Sequence, residues 1–350
     1  AEKIIASGAA ETCGMTRAMI CDPLMPAKSQ AGQLDDIRAC IGCNQACIGH
    51  FHSGHAISCI QYPESGRELE YGVITPTQKP QKVMVVGGGP GGMKAAATAA
   101  KRGHNVTLYE ADKQLGGQAR LAQLLPHRAE FGGIITNLSR ELVQSGAQVM
   151  MNTSVDLELV QSEAPDVVIL ATGATPLWPS SFHYEAGDGQ VCNAWQILQG
   201  DVKPGSRVVV SDWAGDWIGM GVAEHLAEQG CQVRLAVNGL YAGERLQSYV
   251  RDCNLARLHS LGVEVIPYSR LYGRDEDNVY LQHTASGEAV ILEGVDTLVL
   301  AQGHKPNTEL EQALEGFSGE VIAIGDCQMA RTCEEAVLEG LRAGITVKKP

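Results

Sequence analysis

Four cysteines, Cys40, Cys43, Cys47 and Cys59, stand in the order C-x2-C-x3-C-x11-C within CIGCNQACIGHFHSGHAISC. Three thiolates in one tight loop and a fourth returned by the chain supply the four ligands of a cubane [4Fe–4S] cluster. A structural zinc site recruiting His50, His52 or His55, and unliganded thiols, are the alternatives; a C-x3-C step followed by a lone cysteine suits the paired knuckles of zinc poorly. The other seven cysteines, Cys13, Cys21 and Cys192 among them, read as ordinary buried residues. A second chemical feature is G-x-G-x-x-G at Gly87, Gly89 and Gly92, with Glu110 eighteen residues beyond the last glycine. The first glycine permits a tight turn, the second lets a pyrophosphate approach the backbone, and the third lets helix and strand pack closely. A helix amino end attracts the anion, and the carboxylate accepts hydrogen bonds from a ribose. Dinucleotide binding by an FAD, NAD or ADP moiety is the expectation.

The elements that must hold these groups are visible in the hydropathy. Lys82 to Glu110 reads as an apolar run, the glycine loop, an alanine-rich helix and a second apolar run, one βαβ unit. The rhythm returns at Arg207 to Val237, and DVVILATG (166–173) and DTLVLAQG (296–303) each read as a buried strand ending in a glycine turn. The pattern predicts an α/β fold of two nested Rossmann-like, two-dinucleotide-binding domains, with Tyr71 to Lys82 as linker. The second loop, SDWAGDWIGMG, is broken. Counted from the strand, Ser211, Trp213 and Asp216 take the glycine positions; counted back from the helix end, Ala214, Asp216 and Gly219 do. Asp216 puts negative charge beside a pyrophosphate in either register, and the next strand ends without a ribose-binding carboxylate, leaving Arg234 as the one candidate 2′-phosphate partner. Weak or absent NAD(P)H binding is expected there.

Composition bounds the function. The 350 residues are 44% hydrophobic and 19% charged, so a globular chain of two or three units is expected. A net charge of −13 argues against nucleic-acid or anionic-membrane partners, and no apolar run approaches a membrane span. Clustered cysteines point to a reducing, cytoplasmic setting. No catalytic acid or base emerges, since His104, His183, His225, His259, His283 and His304 show no paired spacing.

Taken together, these motifs resemble, over essentially the whole chain, the C-terminal portion of the family of 2,4-dienoyl-CoA reductase, trimethylamine dehydrogenase and histamine dehydrogenase. That resemblance implies a flavin-binding (β/α)8 barrel, a [4Fe–4S] segment, an FAD- or ADP-binding domain and an inserted nicotinamide-type domain. It carries Cys40, Cys43, Cys47 and Cys59 over as cluster ligands. It also implies flavin-side contacts at Gly117 and Gln118 of LGGQ and at Gly325 and Asp326 of IGD, and FMN-phosphate contacts at Gly14 and Arg17. Arg331 faces the flavin or caps the last helix, and Pro306 and Asn307 close the inserted domain. The expected segments are 1–39, the end of the barrel; 40–75, the cluster; 76–188 with 306–350, the FAD or ADP domain; and 189–305, the insertion. A barrel needs ~250 residues, so with most of it absent the chain reads as a fragment or partial chain, binding FMN only where the barrel is present. The implied function is an iron–sulfur flavoprotein oxidoreductase of the amine dehydrogenase or N-demethylase type. It would pass electrons from FMN through the cluster to an electron-transfer flavoprotein or ferredoxin, act on a small methylated amine and form a homo-oligomer. The alternatives are an NADPH-dependent ene reductase like 2,4-dienoyl-CoA reductase, and a non-catalytic electron-transfer or zinc-stabilised binding module.

Overall fold

In a computed structural model, residues 1–347 other than 186 and 188 are described; those two and 348–350, which fall within the expected segments 76–188 and 306–350, lie outside the described residues. The β-branched runs form two parallel sheets, since a strand apolar on both faces is stable only where both faces are covered. The first sheet has the order Glu320–Ala323, Val167–Leu170, Lys82–Val86, Asn105–Tyr109, Gln148–Met150. The second has the order Gln190–Asn193, Thr297–Ala301, Arg207–Asp212, Gln232–Val237, Glu264–Ile266. The chain leaves the first unit through strand Ala174–Pro176 and returns through His304–Pro306, and these two pair antiparallel. Asn307, beside that crossover, donates its N–H to Gly173 O.

Small residues bring the helices of the first unit together. Helix Pro90–Lys101 buries Ala95, Ala96, Ala97 and Ala99 completely, and helix Cys333–Thr346 lies against it. A Cβ on Gly340 would stand 2.3 Å from Gly91 O, so the contact requires glycine. In the second unit, one face of the sheet packs on helix Trp217–Glu228 through Val208, Val210, Met220 and Leu226. The other face packs on an antiparallel meander, Ser269–Asp275, Asn278–His283 and Ala289–Leu292, through Val209, Leu271, Leu281 and Leu298.

Residues 1–39, which the resemblance gives as the end of a barrel, contain short helices and no strand. A parallel barrel strand depends on hydrogen-bonded neighbours at both edges; here helix Thr16–Cys21 is fastened instead to the cysteine segment, Ser65 Oγ donating to Ile20 O at 2.7 Å. Tyr71, expected in the linker, is buried, and its hydroxyl accepts from Arg342 Nε.

Candidate functional site

Glycines and left-handed residues shape the cysteine loop. Gly42 (φ 61°) and Asn44 (φ 56°) turn the chain between Cys43 and its neighbours, and a single π-helical turn, Gln45–Gly49, carries Cys47. Cys40, Cys43, Cys47 and Cys59 line one hollow, walled by Ile20, Ile41, Ala46 and Ile60 and by Arg17. Four thiolates on one zinc ion, with bonds of about 2.3 Å, would stand only ~3.8 Å apart. Among the described residues the only three metal-ligating donors within 4.8 Å of one another are those of His127, Glu224 and Glu228, so no three of these thiols converge that tightly. The spread suits a group with several metal atoms better than one ion. Burial pushes the Cys43 thiol up to about 12, and ligation would release its proton. The histidines are otherwise engaged: His50 Nε2 lies 3.1 Å from Glu334 Oε1 and its Nδ1 2.9 Å from Ala56 O, and the His52 ring rests on Tyr249.

Of the cysteines expected to be ordinary buried residues, Cys21, Cys192 and Cys327 are buried, Cys13, Cys231 and Cys333 are half-buried, and Cys253 is exposed. Cys253 lies on helix Ser248–Ser260, whose one buried residue is Leu258. Cys21 is no bystander either; its thiol contacts that of Cys59, the main cause of the Cys59 pKa falling to about 7.

The first glycine loop is a cradle. At Gly87 (φ 106°) a Cβ would stand 2.3 Å from Ala171 O, and at Gly92 it would stand 1.9 Å from Gly87 O. At Gly89, the residue that starts helix Pro90–Lys101, a Cβ would meet nothing within 4 Å; this is the open approach a pyrophosphate needs. Glu110 accepts N–H bonds from Gly88 (2.7 Å) and Asp112 (2.7 Å), which aims its carboxylate at the loop. Gly117 comes close to Gly89, and Gln118 Nε2 donates to Asp326 Oδ2 at 2.9 Å. The structure thus brings Gly87, Gly89, Gly92, Glu110, Gly117, Gln118, Gly325 and Asp326 to one end of the first sheet. Burial raises the pKa of Asp326. Arg331 pairs with Glu339, and Thr332, not Arg331, caps the last helix by accepting from Glu334 N–H.

The second loop lacks such a cradle. Asp216 starts helix Trp217–Glu228 as Gly89 starts its own helix, and Gly219 stands three residues on, as Gly92 does. The backward count therefore holds for these two positions. The strand ladder places Asp212 opposite Ala301, the counterpart of Ala171 in the matched DTLVLAQG and DVVILATG runs; Asp212 thus occupies the place of Gly87, with two extra residues before the helix. Trp213, set at the close-approach position by the forward count, is instead part of that extension. Asp216 Oδ1 accepts Ile218 N–H at 2.8 Å, so the chain's own carboxylate takes the helix-terminal site where a phosphate would bind. Burial, with the charge of Asp216, raises Asp212 to about 7. Arg234 donates to Glu293 O.

Sequence reasoning missed two cationic features. Lys94 is fully buried, its Nζ 2.7 Å from Glu64 and 3.1 Å from Glu141, which also pairs with Lys101 and Arg38. The network ties the cysteine segment to the glycine-loop helix. Arg128 lies 3.9 Å over the Trp217 ring and 4.8 Å over Phe131, with its Nε buried and unpartnered; burial lowers its pKa to about 10. No motif marks either residue. Gly14 is exposed with open surroundings, and Arg17 donates to Asn44 Oδ1 at 3.0 Å.

Residues 81–337 match the pyridine nucleotide-disulphide oxidoreductase family. The chain is 36% identical over 336 residues to a probable N-methylproline demethylase of Rhizobium meliloti (strain 1021), covering 94% of this chain and 48% of that one. It is 33% identical over 354 residues to an NADH oxidase of Thermoanaerobacter brockii, covering 98% and 52%. Among solved structures it superposes on a 2-naphthoyl-CoA reductase complex with a TM-score of 0.90 at 30% identity, covering 99% of this chain and 52% of that one. The chain spans about half the length of these relatives. Among the described residues no helix is long and apolar enough to cross a membrane.

Proposed function

This chain belongs to the pyridine nucleotide-disulphide oxidoreductase family, and from that premise we propose that it is the electron-relay portion of an iron–sulfur flavoprotein oxidoreductase of the amine dehydrogenase or N-demethylase type. The observation that carries the reading is the hollow lined by Cys40, Cys43, Cys47 and Cys59, no three of whose thiols lie within 4.8 Å of one another. When bound, a [4Fe–4S] cluster passes single electrons, and an FAD supplies or accepts them in pairs. The four thiolates would hold the cluster, and Ile41, Ala46 and Ile60 would exclude water from it. Gly87, Gly89 and Gly92 would seat the pyrophosphate of FAD or ADP, Glu110 its ribose, and Gly117, Gln118, Gly325 and Asp326 the flavin side.

The second loop supports an outlet to a protein acceptor, such as an electron-transfer flavoprotein or ferredoxin, over an inlet from NAD(P)H. Asp216 already occupies the helix end, and a pyrophosphate would meet its charge. The relative named a demethylase agrees with a small methylated amine as substrate. The relative named an NADH oxidase favours the second reading, a reductase drawing electrons from a reduced nicotinamide.

The test is the chain isolated anaerobically, assayed for iron, acid-labile sulfide and extracted adenine cofactor, then mixed with NADH or NADPH. Iron and sulfide in the ratio of a [4Fe–4S] cluster, an adenine cofactor and slow or no bleaching are expected. Zinc without iron would overturn the cluster, and rapid bleaching by either nicotinamide would transfer the reading to the reductase.

A further inference from the structure

The loop between helices Ala119–Ala122 and Ala129–Gly132 of the first unit meets helix Trp217–Glu228 of the second at donors the proposed relay does not use. Glu224 and Glu228 stand one turn apart on helix Trp217–Glu228, so their carboxylates share a face. His127, held at φ 58°, extends its ring to the same face, and the three donor atoms lie within 4.8 Å of one another. His127 Nε2 stands 3.4 Å from Glu224 Oε1. That is long for an N–H···O hydrogen bond. It matches the spacing of two ligands on one tetrahedral ion with bonds of about 2.0–2.2 Å. The Glu228 carboxylate has no hydrogen-bond or ion-pair partner among the described residues.

Arg257 also holds Glu224, its Nε 2.5 Å from the same Oε1 that His127 approaches and its Nη2 3.3 Å from Oε2. Such a partner fixes the orientation of a ligating carboxylate and leaves a lone pair for the ion. We propose that His127, Glu224 and Glu228 form a binding site for a divalent transition metal of the zinc class, completed by water. One imidazole with two carboxylates suits such an ion, whereas magnesium and calcium favour all-oxygen shells. The ion would clamp the two units together, since Leu125, two residues before His127, is packed in the core of the second unit and a Cβ on Gly221 would stand 2.8 Å from it. The inference is independent of the electron-relay reading.

Cobalt(II) tests the site, because its spectrum separates this site from the cysteine hollow: thiolates add an intense sulfur-to-metal charge-transfer band, and nitrogen and oxygen donors give ligand-field bands alone. Titration of the full chain should reveal one equivalent of cobalt with ligand-field bands and no charge transfer. His127→Ala and Glu228→Gln, both at exposed positions, should each weaken that equivalent tenfold or more, while Cys40→Ser leaves it intact. The same equivalent should raise the melting temperature of the parent and not of His127→Ala. Cobalt bound only with the thiolate band, or ligand-field binding unchanged in both variants, would overturn the assignment.

Discussion

Replacing Lys94 with methionine removes a fully buried ammonium from between two carboxylates, and the structure says what each is left with. Glu64 loses its one ion pair while its Oε2 is already without a hydrogen-bond partner; Glu141 keeps Lys101 and Arg38. Breaking a buried pair by removing one member costs about 3–5 kcal/mol, chiefly the uncompensated charge that remains. The expected loss for Lys94→Met is therefore ~3–5 kcal/mol, read by urea denaturation followed by far-ultraviolet circular dichroism. Lys94→Met with Glu64→Gln should recover ~1–3 kcal/mol of it, because the orphaned charge has gone. The pH window follows from the shifts. Burial works against the Lys94 ammonium, but Glu141 and Glu64 outweigh it and hold its pKa above 10.5. Burial likewise opposes ionisation of Glu141, yet Lys94, Lys101 and Arg38 hold it well below the carboxylate range. A raised base stabilises below its unfolded pKa and loses that contribution as pH rises through the folded one. A depressed acid stabilises above its unfolded pKa, ~4.3, and loses that contribution as pH falls through the folded one. The deficit should thus be full between about pH 5 and pH 10 and shrink outside that range. A single variant within 1 kcal/mol of the parent, or a double variant no better than the single, would refute the reasoning.

Gly89→Ala and Gly92→Ala should separate folding from cofactor binding. The first Cβ meets open space and the second would stand 1.9 Å from Gly87 O, so Gly89→Ala should fold with less extracted adenine nucleotide, and Gly92→Ala should lose ~2 kcal/mol or more of stability. Equal nucleotide content in parent and Gly89→Ala would count against the cradle. Asp212 carries a folded pKa of about 7 through burial and the charge of Asp216; its excess bound proton stabilises at low pH and is lost as pH rises from its unfolded value, ~3.9, to about 7. Asp212→Asn, whose Oδ1 can still accept Gly215 N–H, should match the parent near pH 4 and exceed it by roughly 2–4 kcal/mol at pH 8. Denaturation curves at the two pH values decide this, and a difference independent of pH would contradict it.

What the sequence could and could not convey follows from the range of the interactions. The glycine cradle is local: Gly87, Gly89 and Gly92 are dictated by one turn and the strand beside it, so their spacing alone predicts the open approach at Gly89. The alternation of apolar runs likewise foretells two parallel sheets, because strands buried on both faces leave no other pattern. The second loop was ambiguous because a count along the chain cannot tell strand residues from loop residues; only the ladder, which sets Asp212 opposite Ala301, shows that an aspartate has replaced the turn glycine. Lys94 lay beyond reach for another reason. Its partners stand 30 and 47 residues away in sequence, and a lysine among alanines fits an exposed helix face until Glu64 and Glu141 are brought over it. The same long-range packing seats Arg128 between Phe131 and Trp217, one ring from each unit. Residues whose environment is made by their own turn are therefore legible, and those whose environment is made by the meeting of segments are not. The charged groups that join the cysteine segment to the first unit, and the first unit to the second, all belong to the latter kind. Substitutions there should alter how the segments hold together before they alter any one segment's fold.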